Sequence, residues 1–298
     1  MSGADPGERR AGFVGAAVAY VIWGFIPLYL SLVAFADVRE ILGQRVLWAI
    51  PAAFVAVLVT SGWRRGWREI GAALQPSMLA TLAVASIFLA TNWALYAWLV
   101  LEGRVIESSL AYFLAPLVGV AIGVAFFGER LRLTQALALL FALIGVAVQG
   151  LALGAPPWIA LAICASWSAY AVMRKRAPVS AAAGLLVECL AMAPAAMGLL
   201  VWVGGAQGLA FASDWRHAML LALAGPITAA PLIAFAFAAR RVSFTALGLL
   251  QFIAPSLQFA TGLAFGEPFT PLRGLSFALI WAGLGFFAWD TIARAQKA

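Results

Sequence analysis

The 298-residue chain is 64% hydrophobic and only 10% charged, with a net charge of +7. A soluble domain carries about 25% charged residues, and the apolar excess here recurs in blocks of roughly twenty residues, the length that crosses a bilayer. A soluble globular domain is therefore excluded, as is a membrane β-barrel built of short alternating strands. The basic residues lie between apolar blocks and not on one surface, which argues against a nucleic-acid partner.

Taken in order, a short tail (1–11) carries Arg9 and Arg10 ahead of the first apolar run. Ala34-Phe35-Ala36 looks like a cleavage site. The run from Gly12 to Val33 is nevertheless longer than the roughly 7–15 residues of a signal-peptide core, so a first span is expected at 12–33. It holds Tyr20 and Trp23, three residues apart and thus on one helix face, and Tyr29 nearer its end. The second segment, 38–60, carries Glu40, Gln44, Arg45 and Trp48 in one stripe. A polar face on a spanning helix should point inward, away from lipid, although Glu40 and Gln44 lie near the span end and can meet water there.

Asn92 and Tyr96 sit one turn apart on the third segment, 77–100. The fourth, 105–127, opens with Glu107 and Ser108 and continues to Tyr112; Glu107 reads as a solvated helix-start carboxylate favoured by the helix dipole. Segment 131–150 closes the first half. The second half continues with 157–173, which carries Trp167 and Tyr170, and 180–203, which carries Glu188. The single histidine, His217, opens 217–238. Gln251 and Gln258 share a face of 242–265, and 271–293 ends the set with Gly274, Gly283 and Gly285, residues suited to close packing or a homodimer contact. Cys164 and Cys189 both lie in apolar runs and form neither a disulfide framework nor a metal spacing. No cofactor or metal is expected.

The chain repeats itself. Ser109-Leu-Ala-Tyr112-Phe-Leu-Ala-Pro116 returns as Gly248-Leu-Leu-Gln251-Phe-Ile-Ala-Pro255, and each run ends in Phe-Gly-Glu, at 127–129 and 265–267. Five spans per copy invert the second copy, the architecture of many secondary transporters. The expected fold is an all-α polytopic membrane protein of ten transmembrane helices in two inverted five-helix repeats, 12–150 and 156–293, with a second short tail at 294–298. With both termini inside, fourteen Lys and Arg residues fall on the inner segments and four (Arg39, Arg104, Arg216, Arg273) on the outer ones. This positive-inside bias accounts for the basic balance. Gly128 and Gly266 suit helix C-caps, and Glu129 and Glu267 are then expected to organise the N-terminus of the helix that follows.

Aligning Pro51 with Pro194 sets Arg45 against Glu188. Each lies roughly 10 Å inside its span at 1.5 Å per residue, on helices that an in-plane two-fold axis brings together. One reading couples the two across a central cavity, directly or through substrate or water; the other is a structural pair that locks the halves.

Several stretches resemble the RarD group of EamA-type drug/metabolite transporters: Tyr20-Val-Ile-Trp23-Gly24, Glu40-Ile-Leu-Gly-Gln-Arg45-Val-Leu-Trp48, Asn92-Trp93, Glu107 to Pro116, Phe127 to Arg130, and Gly248 to Pro255. The resemblance covers about 12–293. It implies ten helices in two inverted halves, alternating access to a central cavity, and a bacterial inner-membrane location; the RarD name carries an association with chloramphenicol. Phe113 to Glu129 spans seventeen residues whereas Phe252 to Glu267 spans sixteen, a departure in register near Gly266.

The expected function is a secondary transporter for a small organic metabolite or drug-like solute. Its expected cavity residues are Tyr20, Trp23, Gln44, Arg45, Trp48, Asn92, Tyr96, Tyr112, Trp167, Tyr170, Glu188, Gln251 and Gln258, with Glu188 the candidate for proton coupling. Arg45 suits an anionic cargo, whereas Glu188 and the aromatic rings suit a cation. No P-loop is present, so an ion or proton gradient or plain facilitation must drive the solute. No enzymatic constellation occurs either: there is no His-Glu-x-x-His, no Gly-x-Ser-x-Gly and no second histidine. The alternative reading is a lipid flippase or a non-transporting membrane subunit.

Overall fold

A computed structural model describes residues 6–127, 133–239, 241–242 and 250–295. Among them the regular structure is helical: α1 (Pro6–Gly24), α2 (Ile26–Leu32), α3 (Val38–Ser61), α4 (Trp63–Ala73), α5 (Pro76–Leu101), α6 (Val105–Phe127), α7 (Leu133–Leu153), α8 (Trp158–Arg176), α9 (Ala181–Gln207), a 3-10 turn (Ala210–Ala212), α10 (Trp215–Ala222), α11 (Ala224–Ala239), α12 (Ile253–Ala264) and α13 (Pro271–Ala295). Among the described residues, seven stretches are long and apolar enough to cross a membrane, and α6 and α8 add the apolar segments Val105–Ala115 and Trp158–Arg174. The chain is thus an all-helical, multi-pass membrane protein. The expected ten spans exceed those seven; the differences fall at 105–127 and 157–173, where α6 nevertheless runs from Val105 to Phe127 and α8 from Trp158 to Arg176, and at 242–265, of which residues 243–249 lie outside the described residues. Gly128 and Glu129, and the Gly248-Leu249 pair that opens the second Ala-Pro motif, lie outside the described residues.

Local chemistry explains where helices start and bend. The Asp37 side chain accepts from the Arg39 N–H at the head of α3, and the Ser180 hydroxyl accepts from the Ala183 N–H at the head of α9, satisfying donors that have no intrahelical partner. Gly266 follows α12 at φ 81°, a left-handed turn that L-residues rarely adopt. Between α1 and α2 the helix bends at Phe25, and Pro27 enters the first turn of α2. A proline has no N–H to donate to the carbonyl four residues earlier, so the carbonyl of Trp23 is freed. The Gln258 amide of α12 donates to that carbonyl at 3.2 Å.

Packing joins the two halves. α3 lies against α9, α1 against α11 and α12, α5 and α6 against α8, and α7 along α13. Gly145 and Gly283 allow the last approach: a Cβ on Gly145 would fall 2.7 Å from Ile280 Cγ1, and one on Gly283 would fall 2.8 Å from the Ala138 carbonyl. Ser276 donates to the Gly145 carbonyl at 2.8 Å across the same contact. Gly283 therefore packs inside the chain, while Gly285 faces open space.

One element departs from the expected connection between the second and third spans. Residues 63–73 form a helix, α4, in which Gly66, Ile70 and Ala73 are buried against the bundle. Trp63 and Trp67 are exposed on the adjoining edge with Arg64 and Arg68 beyond them. An amphipathic helix of aromatic and basic residues suits the plane of a membrane interface.

Candidate functional site

A cavity of about 310 Å³ lies among α1, α3, α5, α6, α8, α11 and α12. Its lining includes Tyr20 and Trp23 from α1, Arg45 from α3, Asn92 and Tyr96 from α5, Tyr112 from α6, Trp167 from α8, and Gln258 from α12, together with Gln251. Trp93 and Phe235, which the sequence reading does not assign to a cavity, line it as well.

The rings form two groups. Tyr20, Trp23 and Phe235 meet with centroids 5.5–6.2 Å apart. A second group in the lining, Tyr96, Tyr112 and Trp167, makes a chain of edge contacts at 5.7 and 6.2 Å. These are favourable aromatic separations. A hydrogen-bond relay fixes the second group: Tyr112 donates to Asn92 Oδ1 at 3.1 Å, and Asn92 Nδ2 donates to the Ile163 carbonyl at 3.0 Å. Asn92 is 1% exposed, so its amide is spent on holding α5, α6 and α8 together.

Arg45 bears a charge into this cavity. Its Nε donates to Thr228 Oγ1 at 3.2 Å, and its guanidinium carbon lies 4.1 Å from the Trp93 ring centroid. Neither Thr228 nor Trp93 is among the expected site residues; adjacency of Trp93 to Asn92 is the only hint of it in the sequence.

Arg45 and Glu188 make no ion pair or hydrogen bond with each other, which corrects the expectation of a direct coupling and that of a structural pair. α3 and α9 do pack together, but with Gly43 opposite Ala196 and Leu200 and with Asp37 bonded to Gln207. That antiparallel register sets Glu188 about eight or nine residues, roughly 13 Å, along the bundle from the level of Arg45. Glu188 is fully buried and turns to α8 instead. Tyr170 donates to its Oε2 at 3.1 Å, and Arg174 Nε lies 3.6 Å from its Oε1. The Arg174 guanidinium also donates to the Ser180 carbonyl, and it occupies the space where a Cβ on Gly184 would lie.

Four expected cavity residues do not line the cavity. Glu188 and Tyr170 form the cluster just described, although the Tyr170 ring touches Trp167 at 5.7 Å. Gln44 is buried on another face of α3. Trp48 is 37% exposed and packs on Phe211 at 6.1 Å. Residues 44 and 48 follow the stripe of Arg45 only loosely, and α11 approaches α3 closely at Gly225, where a Cβ would overlap the Trp48 carbonyl oxygen.

Three carboxylates expected at span ends also differ. Glu40, placed by the sequence in a polar stripe near a span end where it could also meet water, is 1% exposed and accepts from the backbone N–H groups of Ala210 and Phe211 at 2.9 and 2.8 Å. Glu107, expected to be solvated, is 4% exposed and pairs with Arg104 at 2.6 Å. Glu267 caps α6 and not the helix that follows it, accepting from the N–H groups of Val105 and Ile106. Burial of the Glu267 carboxyl raises its pKa above the ordinary value, and those two donors counter the shift only in part. Glu40 and Glu267 thus each reach from one half of the chain to the backbone of the other, at the same end of the bundle.

Comparison with known proteins agrees with the resemblance. The EamA-like transporter family matches residues 10–150. A RarD protein of Streptomyces exfoliatus is 37% identical over 97% of this chain and 92% of its own length. An uncharacterised transporter of Pseudomonas aeruginosa is 38% identical, covering 97% of each chain. A solved crystal structure at 19% identity covers 93% of this chain and 97% of its own with a TM-score of 0.60, a likeness of fold. With this fold, a cavity lined from both halves, and full-length relatives named as transporters, the chain belongs to the EamA-like transporter family, in the company of the RarD proteins.

Proposed function

We propose that this protein is a secondary transporter that moves a small organic solute across the bacterial inner membrane by alternating access. Its frame is two inverted five-helix repeats, 12–150 and 156–293, with both termini in the cytoplasm. The observation that carries the reading is the cavity itself: aromatic and amide side chains from both halves converge on about 310 Å³ around a single guanidinium. Pockets for small ligands have this mixture of apolar walls and few polar groups, with volumes from roughly 300 Å³ upward.

The clasps of Glu40 and Glu267 support a gate. In the topology that the basic residues favour, both lie on the outer side, each bridging the two halves. Rocking one repeat against the other must break them, so they would hold the outer end shut while the cavity is served from within. Glu188 remains the candidate for proton coupling. It is a buried carboxylate within hydrogen-bonding reach of Tyr170, in a helix that packs on the cavity-forming α3. Gly285, unoccupied within the chain, is the remaining small-residue position for a homodimer contact.

Reconstitution in liposomes tests the reading. Preloaded solute should exchange with labelled solute outside, and a pH gradient should alter the rate. Absence of exchange for metabolites and phenicols alike, with lipid scrambling in their place, would favour the flippase alternative.

A further inference from the structure

The sign of the cargo's charge is open in the sequence, where Arg45 and Glu188 point to opposite answers. Their separation in the structure removes that symmetry. Among the described residues, Arg45 is the only charged side chain lining the cavity. Glu188 has no exposed surface and is engaged by Arg174 and Tyr170. Glu40 and Glu267 are occupied by backbone N–H groups, and Glu107 by Arg104. No carboxylate therefore pairs with Arg45 among the described residues.

The neutral partners of Arg45 leave part of it unused. Thr228 takes the Nε donor and the Trp93 ring covers one face of the group. The two terminal nitrogens make no hydrogen bond to a described residue, although arginine presents five donors in a planar fork. A cation inside a membrane protein ordinarily pairs with an opposite charge or faces a wet cavity. An end-on fork with Nε already held is arranged for the two oxygens of a carboxylate.

Two further observations describe the rest of the cargo. Six aromatic rings line the cavity in two groups, Tyr20, Trp23 and Phe235 and then Tyr96, Tyr112 and Trp167, a lining that suits a flat apolar body. Gln258 is 3% exposed, its Nε2 is committed to the Trp23 carbonyl, and its Oε1 is buried without a partner. The committed donor fixes which end of the amide is free: an acceptor, which calls for an O–H or N–H on the ligand.

We infer that the cavity binds a small aromatic or similarly flat carboxylate that carries a hydrogen-bond donor, with Arg45 as its anion-binding residue. The inference rests on the reading of this cavity as the transport site.

The test uses three probes of one shape and different charge: 4-hydroxyphenylacetate, its neutral amide, and tyramine. Each is titrated onto the full-length protein in detergent or nanodiscs, following tryptophan fluorescence, since Trp23, Trp93 and Trp167 line the cavity. The anion should bind roughly tenfold to a hundredfold more tightly than the amide, the range for hydrogen bonds to charged groups, and tyramine should bind most weakly. Arg45→Gln should bring the anion to within about threefold of the amide, and Arg45→Lys should restore part of the preference. Chromatographic monodispersity and an intact melting transition establish that each variant is folded. The ranking on the unaltered protein needs no variant. Equal or tighter binding of the amide or tyramine, no binding of the anion, or an anion preference unchanged in folded Arg45→Gln would each overturn the inference. Counterflow in liposomes separates this from the transport reading. Exchange of a neutral or cationic solute without anion binding refutes the anion assignment alone. Anion binding by a protein that exchanges no solute refutes transport and leaves the binding site standing.

Discussion

Arg174 Nε lies 3.6 Å from Glu188 Oε1, so the deep carboxylate of the second half is matched by a cation of that same half, on the neighbouring helix. Gly184 makes the match possible, because any larger residue there would occupy the position of the guanidinium. Breaking a buried pair by removing one partner strands the other charge and costs about 3–5 kcal/mol. Glu188→Gln and Arg174→Gln should each lower the melting temperature clearly, and the double variant should recover part of the loss. Additive losses in that cycle would show that the two groups do not interact. Gly184→Leu should mimic Arg174→Gln by expelling the guanidinium. If Glu188 also couples protons, Glu188→Gln retains solute exchange but loses its response to a pH gradient.

The clasps at the other end of the bundle predict a change in access. Glu267 accepts N–H donors of Val105 and Ile106, and Glu40 those of Ala210 and Phe211. Hydrogen bonds to a charged group contribute about 1.5–3 kcal/mol each. Glu40→Gln with Glu267→Gln should therefore shift the population toward a state open at that end. A cysteine at Ala115, which lines the cavity, reports it once Cys164 and Cys189 are replaced. A membrane-impermeant thiol reagent added outside should label the double variant faster than its parent. Unchanged labelling would mean that the carboxylates only cap helices.

Asp37 supplies a pH prediction at the same end. Hydrogen bonds from the Arg39 side chain outweigh partial burial and bring its carboxyl from 3.8 down to about 2. A folded-state value below the unfolded one means that the unfolded chain binds the proton more readily across this interval. The stabilisation from Asp37 is then complete above about pH 4 and disappears as the pH falls toward 2. The pair is partly solvated, with Arg39 39% exposed, so the effect is small. Asp37→Ala should flatten the melting temperature between pH 5 and pH 3 relative to the parent. A parallel decline in both proteins would assign acid sensitivity to other carboxylates.

What could be read from the sequence follows the range of each signal. Tyr20 with Trp23, and Asn92 with Tyr96, share helix faces by spacing alone, and all four line the cavity. The partner of Glu188 was not legible, because helix register decides it: Gly43 against Leu200 puts Arg45 out of reach, while Arg174 comes near through the short α8–α9 connection. In sequence Glu40 looks able to meet water, as carboxylates near span ends usually do, and Glu267 looks like a cap for the helix that follows it. Their N–H partners lie more than a hundred residues away, and no local pattern announces them. Helix α4 is a connection by hydropathy, since Arg64, Arg65 and Arg68 interrupt its apolar edge; its face emerges only at helical spacing.

The bend between α1 and α2 yields a cycle that separates the structural role of Gln258 from its place in the cavity. Pro27 cannot donate to the Trp23 carbonyl, and Gln258 Nε2 does so at 3.2 Å. Gln258→Leu leaves that carbonyl unpaired in an apolar setting, which costs about 1–3 kcal/mol. Pro27→Ala restores an N–H at the position from which a helix would supply the bond. In the Pro27→Ala background, Gln258→Leu should therefore be better tolerated, and the two substitutions should be coupled by at least about 0.5 kcal/mol in thermal or denaturant unfolding. Ligand affinity should respond differently. If the unpartnered Oε1 of Gln258 receives a donor from the cargo, Gln258→Leu weakens 4-hydroxyphenylacetate more than phenylacetate in both backgrounds. Restored stability with equal loss for the two ligands would assign Gln258 to the bend alone.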